Sequence, residues 1–327
     1  MFLPASHHAV RYLGRWHFDS NYAITTAPGA QMEIAFRGSF IVLHFDLTMN
    51  LHPYPHLWLS LDNGPRFEVP LDRVIRVETA EAGNHVLHLV FKGSMEVLNR
   101  WQGPLVGKIA FSGAETECDG LLPEDRRPIL EFLGDSITEG VLVDGDYKFS
   151  SPDQFNRPNQ DDSTATYAWL TAQMLGCRPL IMGYGGIGVT RGGCGGVPKA
   201  ALAYPYNMEG SVKNAEKPAA IIVNYGANDL ANGEAAYIEQ YEQLLKVVRK
   251  HNPGIRIVVL SAFCGVYPKA LEALVKRWND DQNDEIVFID STGWISAEPL
   301  HPNREGHYAI AKQLAPLLEK LLWPCVL

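Results

Sequence analysis

Between Trp16 and about Leu122, apolar side chains recur at every second position. Ile41, Leu43, Phe45 and Leu47 alternate with Val42, His44 and Asp46; Leu57, Leu59 and Leu61 with Trp58 and Ser60; Phe67, Val69 and Leu71 with Arg66, Glu68 and Pro70. A period of two puts one set of side chains on each face of a pleated strand, so these runs predict half-buried strands. Asp62-Asn63-Gly64 supplies residues that tolerate positive φ and predicts a hairpin between the second run and the third. A further strand is expected over His85 to Phe91, after a turn at Ala82-Gly83-Asn84, and another over Val106 to Phe111. With no helical period in this half, residues 1–122 read as a small β-sandwich of jelly-roll type. Glu115 to Pro128, charged and holding two prolines without periodicity, reads as the linker.

Beyond it the pattern changes. Short apolar runs at Ile129 to Leu133, Pro179 to Met182, Ala219 to Val223, Ile255 to Leu260 and Ile286 to Ile289 are separated by segments of helical period. Fully apolar strands alternating with helices predict a parallel sheet covered on both faces, over residues 123–327. Tyr241, Leu244, Leu245 and Val248 form one helical stripe, Leu271, Leu274, Val275 and Trp278 a second, and Ile310, Leu314, Leu317, Leu318 and Leu321 a third, with Asn303 placed to cap the last helix. Val141 to Thr166 is rich in Asp, Asn, Ser and Pro and too long for an ordinary strand-to-helix loop; it is either a mobile surface insertion or a wall of the substrate site.

One stretch organises the rest. Ile129 to Leu133 breaks at Gly134 into Asp135-Ser136, followed by Ile137-Thr138-Glu139-Gly140. A serine in a tight turn at the carboxyl end of a buried strand is either a helix cap or a reactive hydroxyl, and such strand ends are where open α/β sheets bind ligands. Serine is a poor nucleophile until a base takes its proton, and the intermediate's oxyanion needs aimed donors. Three later stretches fit those needs: Gly183 to Thr190, Gly226-Ala-Asn-Asp229, and Glu298-Pro-Leu-His-Pro-Asn303.

Composition narrows the partners. The 327 residues carry a net charge of −9, and the 28 Lys and Arg form no block of like sign, so neither a nucleic-acid groove nor an anionic membrane is expected. No run of about 18 apolar residues could span a bilayer, and Met1 to Arg15 lacks the features of a signal peptide. Five scattered cysteines (Cys118, Cys177, Cys194, Cys264, Cys325) without metal-like spacing read as reduced thiols of a cytoplasmic protein. No cofactor or metal is expected. Gly186-Ile-Gly188 with Gly192 and Gly193 has the wrong spacing for a dinucleotide loop, His52 and His56 lack a third ligand in what reads as a solvated loop, and His307 reads as a satisfied polar residue on the last helix.

Gly134-Asp-Ser-Ile-Thr138, the glycine block, Gly-X-Asn-Asp and His-Pro-Asn, in that order, resemble the SGNH (GDSL) hydrolase superfamily. The resemblance implies a flavodoxin-like three-layer α/β/α fold, Ser136 as nucleophile and His301 as base. It implies an oxyanion hole of the Ser136 amide, a glycine amide (Gly188, with Gly186 second) and the Asn228 side chain, with Asp135 and Asp229 bracing the loops. The family's acid is an Asp three residues before the histidine; here Glu298 stands there, with Asp290 the other candidate, and a Ser-His dyad is the third arrangement open. A jelly-roll leading into an SGNH domain is similar to carbohydrate esterase family 2, which removes acetyl groups from sugars.

The expected function is therefore a serine esterase acting on short acyl esters of an oligosaccharide or small metabolite. A lipase-like or thioesterase acyl-hydrolase is the rival, and a non-catalytic carbohydrate-binding module the alternative of another class. Tyr184 and Trp294, near the proposed site, read first as core or rim packing, with stacking on a sugar face the functional alternative. Oligomeric state is not legible.

Overall fold

The structure, a computed structural model, describes residues 1–145, 158–296 and 299–324. Nine strands make the first sheet: β1 Phe2–Pro4, β2 Val10–Leu13, β3 His17–Phe18, β4 Ala23–Thr25, β5 Gln31–Phe45, β6 His56–Leu61, β7 Phe67–Pro70, β8 Val74–Gly93 and β9 Ile109–Asp119. Their order is β3-β4-β9-β5-β8-β6-β7, with β1 added on β9 and β2 on β5. Every pairing in it is antiparallel. The inward sets that the alternation marks (Ile41, Leu43; Leu57, Leu59; Leu87, Leu89, Phe91) share one core with Trp16, Phe36 and Phe111. The expected hairpin joins β6 to β7, with Asp62 and Asn63 at φ 53° and 59°.

Three expectations for this half need correction. Ala82-Gly83-Asn84 is no turn: β8 runs unbroken through it for 20 residues, with Asn84 opposite Arg37 and Gly83 opposite Gly38. The segment is polar because the middle of the strand is solvent-facing, and polar residues around a glycine imitate a turn. The linker is shorter than Glu115 to Pro128, since β9 starts at Ile109, continues to Asp119 and buries Ala114 and Thr116. Those side chains are too small or too polar to register as an alternation. His56 lies in strand β6, its Nδ1 2.6 Å from Glu68 Oε1, and not in a solvated loop.

The second sheet is parallel throughout: β10 Ile129–Gly134, β11 Arg178–Gly183, β14 Ala220–Asn224, β15 Arg256–Leu260 and β16 Val287–Ile289. A short hairpin, β12 Tyr206–Met208 and β13 Ser211–Val212, intervenes in the chain and was not expected. The order β11-β10-β14-β15-β16 is the flavodoxin-like 2-1-3-4-5 arrangement, whose switch point falls between β10 and β14.

Among the described residues, six α-helices accompany this half: α1 Ser136–Glu139, α2 Tyr167–Met174, α3 Ala200–Ala203, α4 Glu234–His251, α5 Pro268–Gln282 and α6 Arg304–Leu322. Alternate strand residues face opposite layers. Leu133, Val223 and Val259 pack with α4 and α5, whereas Leu130, Phe132, Ile222 and Val258 pack with α2 and α6. The three expected stripes are the buried faces of α4, α5 and α6, except that Leu317 is 38% exposed. Asn303 caps α6, its Oδ1 accepting from Gly306 N at 3.0 Å.

The sheets meet through buried and part-buried polar contacts. Arg15 reaches Glu131 at 3.0 Å, Gln31 Nε2 donates to the Pro179 carbonyl at 2.7 Å, and Ser163 Oγ donates to the Phe91 carbonyl at 2.9 Å. Of Val141 to Thr166, residues 146–157 lie outside the described residues. The following stretch is tied down, with Asp162 accepting from Trp58 Nε1 (3.1 Å) and Arg304 Nη2 (2.8 Å), and Thr164 Oγ1 accepting from Arg66 Nη1 (2.8 Å).

Candidate active site

Ser136 follows the carboxyl end of β10, at the switch point. Gly134 is required there: a Cβ at this position would run into Thr138 Oγ1 and lie 3.0 Å from the Asn224 carbonyl. Asp135 caps α1, accepting from Ile137 N at 3.0 Å, and Gly140 ends the single turn at φ 93°. The hydroxyl that this turn presents lies 2.8 Å from His301 Nε2, across 165 residues of sequence. Both residues are nearly buried, so their interaction is shielded from water.

The glycine block follows β11. Asp229 explains its shape: the carboxylate accepts from Val189 N (3.2 Å), Thr190 N (2.8 Å) and Thr190 Oγ1 (2.5 Å), and it occupies the space that a Cβ on Gly188 would need. Only glycine fits there. Asp229 thus ties three donors of this loop to one carboxylate. The Gly188 N–H donates to the Arg191 carbonyl at 3.1 Å, closing the turn on itself. Gly186 sits at φ 71°, with Cys194 Sγ against its open face. Asn228 follows β14 and is fixed by donating to the Ile187 carbonyl at 3.0 Å. A primary amide carries two N–H bonds, so one is spent on holding the side chain and the other can serve a ligand.

The electrostatics of the turn are set by burial. Desolvation pushes the Asp135 carboxyl up to about 7, with the Asp229 and Glu139 charges acting in the same direction against the hydrogen bond from Ile137. His307, behind the site on α6, is held neutral: burial lowers it to about 3, and its Nδ1 accepts from Tyr167 N at 3.1 Å. The expectation of a satisfied polar residue holds for Nδ1 alone, since the buried Nε2 meets no hydrogen-bond partner among the described residues.

Among the remaining candidates, Glu298 lies outside the described residues. The Asp290 carboxylate is engaged elsewhere, accepting from Ser261 Oγ at 2.8 Å and Thr292 N at 3.0 Å. Tyr184 does not stack on a ligand. It is 1% exposed, with Trp101 edge-on at 6.4 Å and the Arg100 guanidinium 5.3 Å over its ring, because the β11 end turns it inward. Trp294 is half-buried and packs against the core cluster of α2 and α6.

Sequence reasoning missed Glu139 and Arg100, a fully buried ion pair with both guanidinium Nη atoms on the carboxylate. The available signal was Glu139 itself, a charge inside a turn whose neighbours are otherwise small or apolar.

A parallel sheet of flavodoxin-like order with a serine and a histidine hydrogen-bonded at its switch point is the layout of an SGNH-type ester hydrolase. Residues 132–309 match the GDSL-like Lipase/Acylhydrolase family, and the chain belongs to that family. It is 24% identical over 345 residues to the acetylxylan esterase / glucomannan deacetylase of Cellvibrio japonicus, covering 98% of this chain and 91% of that protein. It is 27% identical over 247 residues to the cellulase/esterase CelE of Acetivibrio thermocellus, covering 67% of this chain but only 29% of that longer protein. The solved structure of a family two carbohydrate esterase from Clostridium thermocellum in complex with cellohexaose superposes with a TM-score of 0.76 at 22% identity, over 96% of this chain and 99% of that one. The fold is therefore that of the family two carbohydrate esterases, N-terminal antiparallel domain included. Among the described residues, no helix is long and apolar enough to cross a membrane.

Proposed function

We propose that this enzyme removes short acyl groups, acetyl above all, from hydroxyls of an oligosaccharide or related carbohydrate. The observation that carries the chemistry is the 2.8 Å contact between His301 Nε2 and Ser136 Oγ. His301 takes the Ser136 proton as the oxygen attacks the ester carbonyl, then returns it to the departing sugar alkoxide. Water, activated by the same imidazole, releases the acid from the acyl-enzyme. The Ser136 N–H and the second N–H of Asn228 hold the oxyanion, joined by the Gly188 N–H once it exchanges the Arg191 carbonyl for the developing charge. Glu298 orients the imidazole and stabilises its cation; Asp135 and Asp229 brace the two loops.

The choice of carbohydrate is supported by the Cellvibrio relative, named for acetylxylan and glucomannan, which aligns over nearly the whole chain, and by the Clostridium structure, which holds cellohexaose. The four described cysteines are free, which supports a reducing, cytoplasmic setting.

The test is a series of p-nitrophenyl esters from acetyl to dodecanoyl, followed by acetylated xylo- and manno-oligosaccharides, with Ser136→Ala alongside. Activity confined to short chains, extended to the sugars and absent from the variant is expected. Activity that rises with chain length would overturn the carbohydrate reading, and hydrolysis undiminished in Ser136→Ala would remove the serine from the mechanism.

A further inference from the structure

Two arginines of the N-terminal domain are almost wholly buried, and each meets a carboxylate on the segment that carries Ser136. Arg15 Nη2 lies 3.0 Å from Glu131 Oε1 in the middle of β10, five residues before the serine. Arg100 grips Glu139 on α1, three residues after it, through both Nη atoms. Glu139 Oε2 in turn accepts the Gly185 N–H at 2.5 Å. One carboxylate therefore joins the nucleophile turn, the glycine block and the preceding domain.

The loop that carries Arg100 is fitted to the glycine block and to the glycine turn that follows it. The Arg100 N–H donates to the Gly195 carbonyl at 2.9 Å, and the Glu96 carboxylate fills the space over Gly185 that a Cβ would need. Burying both partners of an ion pair adds little net stability, because desolvation offsets the attraction. What it adds here is geometry: a planar fork on a carboxylate fixes direction as well as distance. A helix of only four residues, α1, cannot fix itself.

We infer that Arg100 is a positioning residue for hydrolysis, supplied by the N-terminal domain. Acting through Glu139, it sets the Ser136 hydroxyl against His301 and holds the Gly183 to Thr190 loop in register with it. The inference rests on Ser136 being the nucleophile. The domain ahead of the catalytic sheet thus completes the active site, whatever else it binds.

The test compares wild type, Arg100→Met, Arg100→Lys, Arg100→Met/Glu139→Gln and Ser136→Ala on p-nitrophenyl acetate, with competent sites counted by fluorophosphonate titration. Arg100→Met is expected to lower kcat per titrated site about 100-fold, the scale of an ångström-sized misplacement, with KM within about twofold. Arg100→Lys recovers part of the loss, since an ammonium reaches Glu139 without orienting it. The double variant leaves no unpaired buried charge, so it regains the melting temperature but not kcat, and it carries the test if Arg100→Met alone does not fold. A kcat within about threefold of wild type in a folded variant lacking Arg100, with Ser136→Ala inactive, would overturn the inference. Activity surviving in Ser136→Ala would instead overturn the reading beneath it.

Discussion

Asp135 gives the turn its cap at a cost in stability that depends on pH. Its carboxyl is buried beside Ser136 and is lifted from the ordinary 3.8 to about 7. Between those values the folded protein keeps a proton that the unfolded chain has lost, so stability falls as pH rises. The slope is about 1.4 kcal/mol per pH unit, and three units give about 4 kcal/mol in total. Near pH 4 the folded carboxyl is protonated and the unfolded one only about half ionised, so the penalty is small; above about 7 both are ionised and it is complete. Asn at this position still accepts from Ile137 N but cannot ionise. The advantage of Asp135→Asn over wild type should therefore be small at pH 4, climb through pH 5 and 6, and level off above about 7 near 4 kcal/mol. Urea unfolding of both proteins across that range measures it. His307, depressed to about 3, acts with the opposite sign by destabilising the fold as pH falls below 6.5. Because both proteins carry it, its contribution cancels in the difference. Two stability curves running parallel with pH would refute the argument, since they would mean that Asp135 titrates alike in the folded and unfolded states.

Three further outcomes are expected. Asn228→Ala should raise the barrier by about 3 kcal/mol, a loss of 100-fold or more in kcat with KM little changed; a near-full rate would exclude it from the oxyanion hole. On the proposed reading, in which Glu298 is the acid beside His301, Glu298→Gln should lower kcat by at least about tenfold; intact turnover would leave a Ser-His dyad. Arg15→Met should cost about 3 kcal/mol in chemical denaturation, at the low end for breaking a buried pair, because Tyr204 OH (3.1 Å) and Lys213 Nζ (3.7 Å) still face Glu131. An unchanged midpoint would show that those two neighbours suffice.

What could be read from the chain was whatever repeats or stands in fixed local order. Five apolar runs gave the parallel strands within a residue or two at each end, and the spacing of Leu271, Leu274, Val275 and Trp278 gave the buried face of α5. Ser136 and His301 were legible because each is embedded in a short block whose neighbours have local jobs, Gly134 making room for Thr138 and Asn303 capping α6. The failures are of one kind. The exposed middle of β8 and the small residues of β9 carry strand geometry without a hydrophobic signal. Tyr184 looked available because it borders a glycine loop, yet which way a side chain at a strand end points is set by the register of β11 against β10. Arg100 and Glu139 are 39 residues apart and share no motif, so their meeting is decided only when the two sheets dock.

That docking accounts for a feature of the chain order. Ser136 sits on one helical turn between a buried strand and a glycine, a geometry with few hydrogen bonds of its own. Such a turn is held by its surroundings or not at all. On one side His301 and the cap of α6 approach it; on the other, Asp229 shapes the glycine block. Glu139 remains, a charge that would destabilise the turn if buried alone. The sheet domain that precedes the catalytic sheet supplies Arg100 to meet it and Arg15 to meet Glu131, so the strand and turn carrying Ser136 are clamped at both ends by the same neighbouring domain. A catalytic half separated from residues 1–119 would leave Glu131 and Glu139 without their arginines and Gly185 without the group that fills the space above it. Its loss of activity would then follow from the geometry of Ser136, before any question of how the N-terminal domain holds a sugar.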